Sequence, residues 1–167
     1  AVSGLLVDKL GGPPVKPYQP PGLWEAVSYN GELSYETDRG EGLWRRTVYT
    51  HWKRTSPPPG VLVLDGPTRE TCVVRRPRTN TPLQSLLLLN DETYVEAARV
   101  LAATTLGTVR AGAGPEDTAR AMFRRVTARV PEPAEIAALR DLYARQKTRF
   151  AADRAAAGKL LGVGMSP

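Results

Sequence analysis

Proline divides this 167-residue chain into two halves that can fold in different ways. Five of the fifteen prolines lie between Gly11 and Gly22, and three more stand together at Pro57-Pro58-Pro59. Because proline fixes φ and has no N–H, these stretches are extended and exclude helices. In the second half, prolines instead precede apolar patterns with helical spacing, so we expect the helices to concentrate there.

Four helices are predicted after residue 80. The best-defined start is Thr81-Pro82-Leu83-Gln84, where Thr81 and Gln84 can form a capping box around a proline at the first helical position. The leucines that follow, up to about Leu89, predict that the body of this first helix is buried. The other three helices are expected to begin after Asn90 or Asp91, at Pro115 and at Pro133.

The first half of the chain contains short apolar segments between its turns. Residues 1–10 carry leucines on one helical face and are interpreted as the remnant of a helix. Leu43–Lys53 is rich in aromatic and β-branched residues and is predicted to be a strand, although its aromatic spacing also fits a helix. Val61–Leu64 and Cys72–Val74 are expected to form a small strand pair.

These patterns predict a mostly α (α+β) fold. Residues 1–80 would form a Pro-rich arm with short strands, residues 81–160 a small helical bundle, and both together one domain. The chain is expected to be a fragment of a longer protein, without a signal peptide at Ala1. Its longest apolar runs, such as Leu86–Leu89, are too short for a transmembrane segment.

The net charge of +6 is concentrated in one region. Between Arg39 and Asn80, nine Lys and Arg residues face three Asp and Glu residues, while the rest of the chain is balanced. A localised basic field and a pI near 9.8 are typical of proteins that bind anionic partners. No helix-turn-helix, RNA-recognition or zinc module is visible, which argues against nucleic acid as that partner.

Three arginines precede the capped helix directly. Arg75, Arg76 and Arg78 would be held beside the amides of the helix start at Thr81 and Gln84. Guanidinium groups and free amides both donate to anions, so this stretch predicts a site for sulfate, phosphate or carboxylate. The alternative is that the arginines tie loops to helices through nearby acids. The candidate acids are Asp38, Asp65, Glu70 and Asp91.

No catalytic or metal constellation stands out. Cys72 and His51 are the only cysteine and histidine, so no internal disulfide, CxxCH haem attachment or cysteine-rich zinc site can be built, and their apolar surroundings disfavour a catalytic pair. Asp65, Glu70 and Asp91 are possible carboxylates for glycoside hydrolysis, but no spacing singles out a pair. The residues therefore lean away from an enzymatic role, without deciding it.

Several strings in the chain resemble a known family. They are Val15-Lys16-Pro17-Tyr18-Gln19-Pro20, Gly22-Leu23-Trp24-Glu25, Trp52-Lys53-Arg54-Thr55, Thr79-Asn80-Thr81-Pro82-Leu83-Gln84 and Leu88-Leu89-Asn90-Asp91. The family is a C-terminal domain of unknown function in large, predicted exported proteins, found chiefly in planctomycetes and often associated with a cytochrome c-like segment. From this resemblance the chain is expected to lack both ends of that domain, and His51 and Thr68 stand where phenylalanine and asparagine are common in the family.

The resemblance implies a periplasmic or cell-surface location and no cofactor in this fragment, with haem elsewhere in the parent protein. Upstream domains of the same parent chain are the expected partners. Genomic association with polysaccharide use suggests an anionic polysaccharide as well, and the exported setting further disfavours nucleic acid. We therefore expect a non-catalytic accessory or interaction module with a basic arginine face. The alternative is part of an extracellular polysaccharide-acting enzyme whose active site needs the upstream domains.

Overall fold

The computed structural model describes residues 1–110 and 112–166, and this part of the chain is mostly helical, as predicted. The glycine-containing stretch Gly107–Gly114 is predicted from sequence to be a flexible joint between helices; it includes residue 111, which lies outside the described residues, and Gly107 itself belongs to a helix. The helices are α1 (Pro59–Val63), α2 (Pro82–Asn90), α3 (Glu92–Thr108), α4 (Pro115–Thr127), α5 (Pro133–Ala152) and α6 (Arg154–Leu161). Short 3-10 turns occupy Glu25–Val27, Gly40–Trp44 and Thr47–Tyr49.

The described chain divides into two compact units. One unit contains Leu6–Val95 with Met165 and Ser166, and the other contains Ala1–Leu5 with Glu96–Gly164. We call them the arm unit and the helical unit. α3 begins in the arm unit and continues into the helical unit.

In the arm unit, the Pro-rich segment is tied down by isolated backbone bridges. The Val15 N–H donates to the Tyr49 carbonyl and the His51 N–H donates to the Val15 carbonyl, both at 2.8 Å. Val15 is buried, as are Trp24 and Leu43. The predicted arm is therefore a packed loop whose apolar residues form the core of this unit.

The predicted strands are wrong. Leu43–Lys53 forms 3-10 turns and single bridges, and Val61–Leu64 lies in and just after α1. Pro59 sets the φ of the first turn of α1, and so short an apolar run has no periodicity that separates strand from helix. Cys72–Val74 is irregular and exposed, with no strand beside it among the described residues. Residues 1–10 form turns and a bridge instead of the predicted helix.

The predicted start of α2 is confirmed, but the prediction that its leucines are buried is wrong. The exposed fractions are 60% for Leu83, 57% for Leu86 and 75% for Leu89. The buried residue of this helix is Gln84, whose side-chain amide donates to the Val63 carbonyl at 2.9 Å. Consecutive leucines surround a short helix on all sides, so one inward face cannot cover them.

Local hydrogen bonds define the later helix starts. Asp91 Oδ1 accepts from the Thr93 N–H at 3.0 Å at the beginning of α3, as predicted. Asp117 and Glu135 bond back to the N–H groups of Gly114 and Glu132 at the beginnings of α4 and α5. These carboxylates satisfy amides that have no partner within the helix.

The helical unit packs α4 along α5, and α5 against α6. Pro131 predicts the end of α4 from sequence, but α4 ends earlier, at Ala128 with φ 60°. α5 and α6 are separate helices because Asp153 caps α6, accepting from the Ala156 N–H at 2.9 Å. None of the described helices is both long enough and apolar enough to cross a membrane.

Candidate anion site

The loop after α1 and the start of α2 enclose an open groove of about 710 Å³ in the arm unit. We call it the arginine groove. It contains four of the five residues predicted to bind an anion, namely Arg75, Arg76, Arg78 and Gln84. The fifth, Thr81, does not line the groove, but it fixes the start of α2 through the capping box. The other lining residues are Leu64, Asp65, Val74, Pro77 and Thr79.

The capping box sets the position of Gln84 in the groove wall. The Gln84 N–H donates to Thr81 Oγ1 at 3.3 Å, and the Thr81 N–H donates to Gln84 Oε1 at 3.2 Å. The same Gln84 side chain donates through Nε2 to Thr79 Oγ1 at 2.9 Å. One buried side chain therefore joins the helix start to the loop that carries the arginines.

Asp65 closes the loop. Its carboxylate accepts from the Thr79 N–H and from Thr79 Oγ1, each at 2.8 Å, and from Gln84 Nε2 at 3.3 Å. The hydrogen bonds from the Thr79 backbone and side chain lower the pKa of Asp65, helped by Gln84 and by the charge of Arg76. This carboxylate therefore stays ionised and structural at neutral pH.

Arg76 is held by backbone carbonyls. Its Nε donates to the Asp65 carbonyl at 3.0 Å and its Nη2 donates to the Leu64 carbonyl at 3.3 Å. These bonds satisfy carbonyls at the C-terminal end of α1. The guanidinium keeps further N–H donors beyond these two bonds, so it can still contact a ligand in the groove.

Arg75 and Arg78 are exposed, and within the described residues no hydrogen bond to a backbone carbonyl holds either side chain. No carboxylate in the described part of the chain forms an ion pair with either side chain. Asp38, one of the acids considered as a partner, instead accepts from the Lys16 N–H at 2.8 Å. Two guanidinium groups of the arginine groove are therefore available to an external anion.

The three candidate carboxylates are not gathered in the groove. Asp65 lines it, whereas Asp91 caps α3 and Glu70 is exposed in the preceding loop. Asp91 also raises the pKa of the half-buried Tyr94, after the larger effect of burial itself. Among the described residues, the arginine groove thus has a single carboxylate in its wall.

A smaller depression of about 330 Å³ adjoins the arginine groove and shares Leu64 and Arg76 with it. In it the Arg69 guanidinium lies 4.4 Å from the centre of the Trp52 ring. Neither this contact nor the role of Thr79 was anticipated from sequence. The polar run Thr79-Asn80-Thr81 was the available signal for Thr79, but its partner Asp65 lies fourteen residues earlier.

The remaining chemical candidates lie apart from the groove. Cys72 is exposed in the loop, and His51 packs beside Trp24 with ring centres 5.3 Å apart. No cluster of three or more His, Cys, Asp or Glu side chains suited to a metal ion occurs in the described ranges.

These features define a mostly helical protein whose arm unit contains an arginine-lined groove. The chain belongs to the family described as PSD1, a protein of unknown function (DUF1553), whose model matches residues 1–143. That match includes the whole arginine groove and ends within α5. Searches of curated proteins and of solved structures found no match.

Proposed function

We propose that this chain is a non-catalytic binding module and that its arginine groove holds an anionic partner, with a sulfated or carboxylated polysaccharide as the preferred class. The observation that supports this proposal is the pair of exposed guanidinium groups on Arg75 and Arg78, neither of which has a described ion-pair partner. Arginine forks match the geometry of sulfate and carboxylate oxygens.

The different bonding of the three arginines also supports binding of an anionic partner. Arg76 is oriented by the Leu64 and Asp65 carbonyls, so it provides a fixed donor next to two adaptable ones. Binding at exposed guanidinium groups is screened by salt because the Debye length is about 8 Å at physiological ionic strength. We therefore expect affinity for the polysaccharide to fall steeply as salt is raised.

Binding without hydrolysis is favoured by the state of Asp65. A glycosidase needs a carboxylic acid whose pKa is raised so that it can protonate the leaving group. The pKa of Asp65 is instead lowered by its bonds to Thr79, and no second described carboxylate lines the groove. Polysaccharide cleavage would require residues from outside this chain. The binding experiment described below distinguishes this enzymatic alternative from binding alone.

The proposal also places the module in an exported, cytochrome c-associated surface protein, next to the upstream domains of the parent chain. This part is supported by the motif resemblance around Trp24, Trp52 and Thr79–Gln84. Detection of the full-length parent in periplasmic or surface fractions of its source organism tests the location directly. Recovery in the cytoplasm alone would refute it.

The groove itself is tested with sulfated, carboxylated and neutral polysaccharides at low and high salt. We expect the double substitution Arg75→Gln/Arg78→Gln to abolish salt-sensitive binding without changing the circular dichroism spectrum, because neither side chain has a described structural bond. The control, Arg145→Gln/Arg154→Gln, removes the same net charge from the helical unit and should retain binding. An equal loss of polysaccharide binding in both variants would show that the attraction is nonspecific. Depolymerisation of the polysaccharide would favour the alternative, a polysaccharide-acting enzyme.

A further inference from the structure

A second cavity lies in the helical unit, among α3, α4 and α5, and has a volume of about 860 Å³. We call it the apolar groove. In contrast to the arginine groove, no charged side chain lines it within the described residues. Its walls include Leu101, Leu106, Met122, Phe123, Val126 and Leu142.

The apolar groove arises from uneven helix packing. α4 lies closely along α5, whereas α3 makes no comparable backbone approach to either of these two helices. Side chains on the walls therefore stay in water: Leu106 is 64% exposed, Val126 55% and Leu142 44%. A continuous apolar surface of this kind marks an interaction site more often than a free surface.

The exposed walls favour a helix over a small apolar ligand. Pockets for small ligands bury roughly 70–90% of the molecule, and an acyl chain between half-exposed walls would remain partly in water. A helix about 10 Å wide can bury one apolar stripe in such a groove and leave its polar side in solvent. A helix in this position would complete a four-helix arrangement with α3, α4 and α5.

Charge selects the kind of helix. Lys147 Nζ lies 5.8 Å from the ring centre of Tyr143, a residue of the groove wall, and no described acid forms an ion pair with this lysine. The helical unit as a whole carries twelve Lys and Arg residues against seven Asp and Glu residues. We propose that the apolar groove binds an amphipathic helix of a partner protein, with acidic residues flanking its apolar stripe.

Two synthetic peptides with the same leucine stripe test this proposal, one flanked by glutamates and one by lysines. The glutamate peptide should bind, by fluorescence anisotropy, and gain helicity on binding. Val126→Asp should weaken that binding by about tenfold or more, since it places a charge in the apolar wall of the groove. Because Val126 is exposed in the free protein, this variant should still fold.

The matched control is Leu161→Asp, which adds the same charge at an exposed apolar residue of α6 outside the groove walls. It should change the affinity by less than about twofold. Lys147→Glu should weaken the glutamate peptide and not the lysine peptide, which a merely structural role of Lys147 would not produce. Binding that survives Val126→Asp, or is lost equally in Leu161→Asp, would overturn the proposal.

Two other occupants give distinct results. Concentration-dependent dimerisation in sedimentation experiments, abolished by Val126→Asp, would assign the groove to a second copy of the chain and reject the partner helix. Binding of oleate but of neither peptide would assign it to an acyl chain with the same consequence. The Arg75→Gln/Arg78→Gln variant should bind the glutamate peptide normally, so failure of one proposal does not decide the other.

Discussion

Asp65 shows how a single residue can organise the loop that presents the arginines. It follows α1 with φ 60°, a left-handed conformation that Asp and Asn tolerate better than most residues. From there its two carboxylate oxygens bond the backbone and the hydroxyl of Thr79. The loop between Asp65 and Thr79, which includes Arg75, Arg76 and Arg78, is therefore closed at its base.

Replacing Asp65 by asparagine should lower the melting temperature by a few degrees at pH 7. Asparagine tolerates the same φ, but its amide nitrogen cannot accept the bonds from Thr79. Because the folded pKa of Asp65 is lowered, its contribution is full above the ordinary carboxyl pKa. The contribution is lost as pH falls through the lowered value, so the melting curves of the two proteins should converge in acid.

The control for Asp65→Asn is Glu41→Gln, which removes an exposed carboxylate whose only described contact is a 3.5 Å ion pair with Lys9. This exposed pair should contribute little to stability, so the melting temperature should hardly move. If Asp65→Asn melts like Glu41→Gln at pH 7, the carboxylate does not close the loop.

Whether a contact between two residues could be predicted depended on how far apart the two residues lie in the sequence. The Thr81–Gln84 capping box was predicted because both partners lie within one helical turn. The bond from Thr79 to Asp65 needs a fold to bring the two together, and no periodicity encodes it. Likewise, Glu96 is fully buried at a place where a Cβ on Gly164 would lie 2.1 Å from its carboxyl carbon. Hydrophobic patterning cannot predict a buried acid.

At the scale of elements, the start of α5 carries an ion pair in which one carboxylate accepts two bonds from one guanidinium. Arg129 makes two bonds to the Glu135 carboxylate, at 2.8 and 2.6 Å, and its guanidinium also lies 4.8 Å from the Phe123 ring centre on α4. Glu135 accepts in addition from the Glu132 N–H at 2.8 Å. One carboxylate therefore caps α5 and ties it to the end of α4.

Glu135→Gln should lower the melting temperature at neutral pH, because glutamine keeps an acceptor for the Glu132 N–H but loses the charge facing Arg129. The hydrogen bonds from Arg129 hold the pKa of Glu135 at about 2, against an ordinary value of 4.5. The stability difference between the two proteins should thus be constant above pH 4.5 and disappear as pH falls toward 2.

Glu116→Gln on α4 provides the comparison for this prediction. It breaks a single-bonded surface pair with Arg120, at 3.0 Å and spaced four residues apart. Such pairs contribute little, so its melting temperature should fall by less than that of Glu135→Gln. A stability difference for Glu135→Gln that persists unchanged at pH 2 would show that the ion pair is not its origin.

The starts of α2, α4 and α5 were predicted from sequence because proline and capping residues act locally. The nature of Val61–Leu64 could not be decided, since four apolar residues fit a strand or a single helical turn. The prediction that the leucines of α2 are buried failed for a different reason. Apolar residues indicate a surface that can make contacts, but they do not show that another part of this chain covers that surface.

For the whole molecule, the proline distribution predicted correctly that the fold is mostly helical. The arginine cluster marked one part of the chain in which the structure forms a groove, but the closure by Asp65 and Thr79 depends on tertiary contacts. The apolar groove was not anticipated, because it results from the spacing of α3 from α4 and α5 and not from any local motif.

The two grooves share no residue and have opposite chemistry, one polar and cationic and the other apolar. We therefore expect their ligands to bind independently: saturation with a sulfated polysaccharide should leave the dissociation constant of the glutamate-flanked peptide unchanged. Titrating the peptide with and without the polysaccharide, at a salt concentration that permits both, measures this directly. Competition between the two ligands, together with weaker binding of the peptide alone to Arg75→Gln/Arg78→Gln, would mean that the acidic peptide also occupies the arginine groove, and that charge, not the leucine stripe, determines its binding.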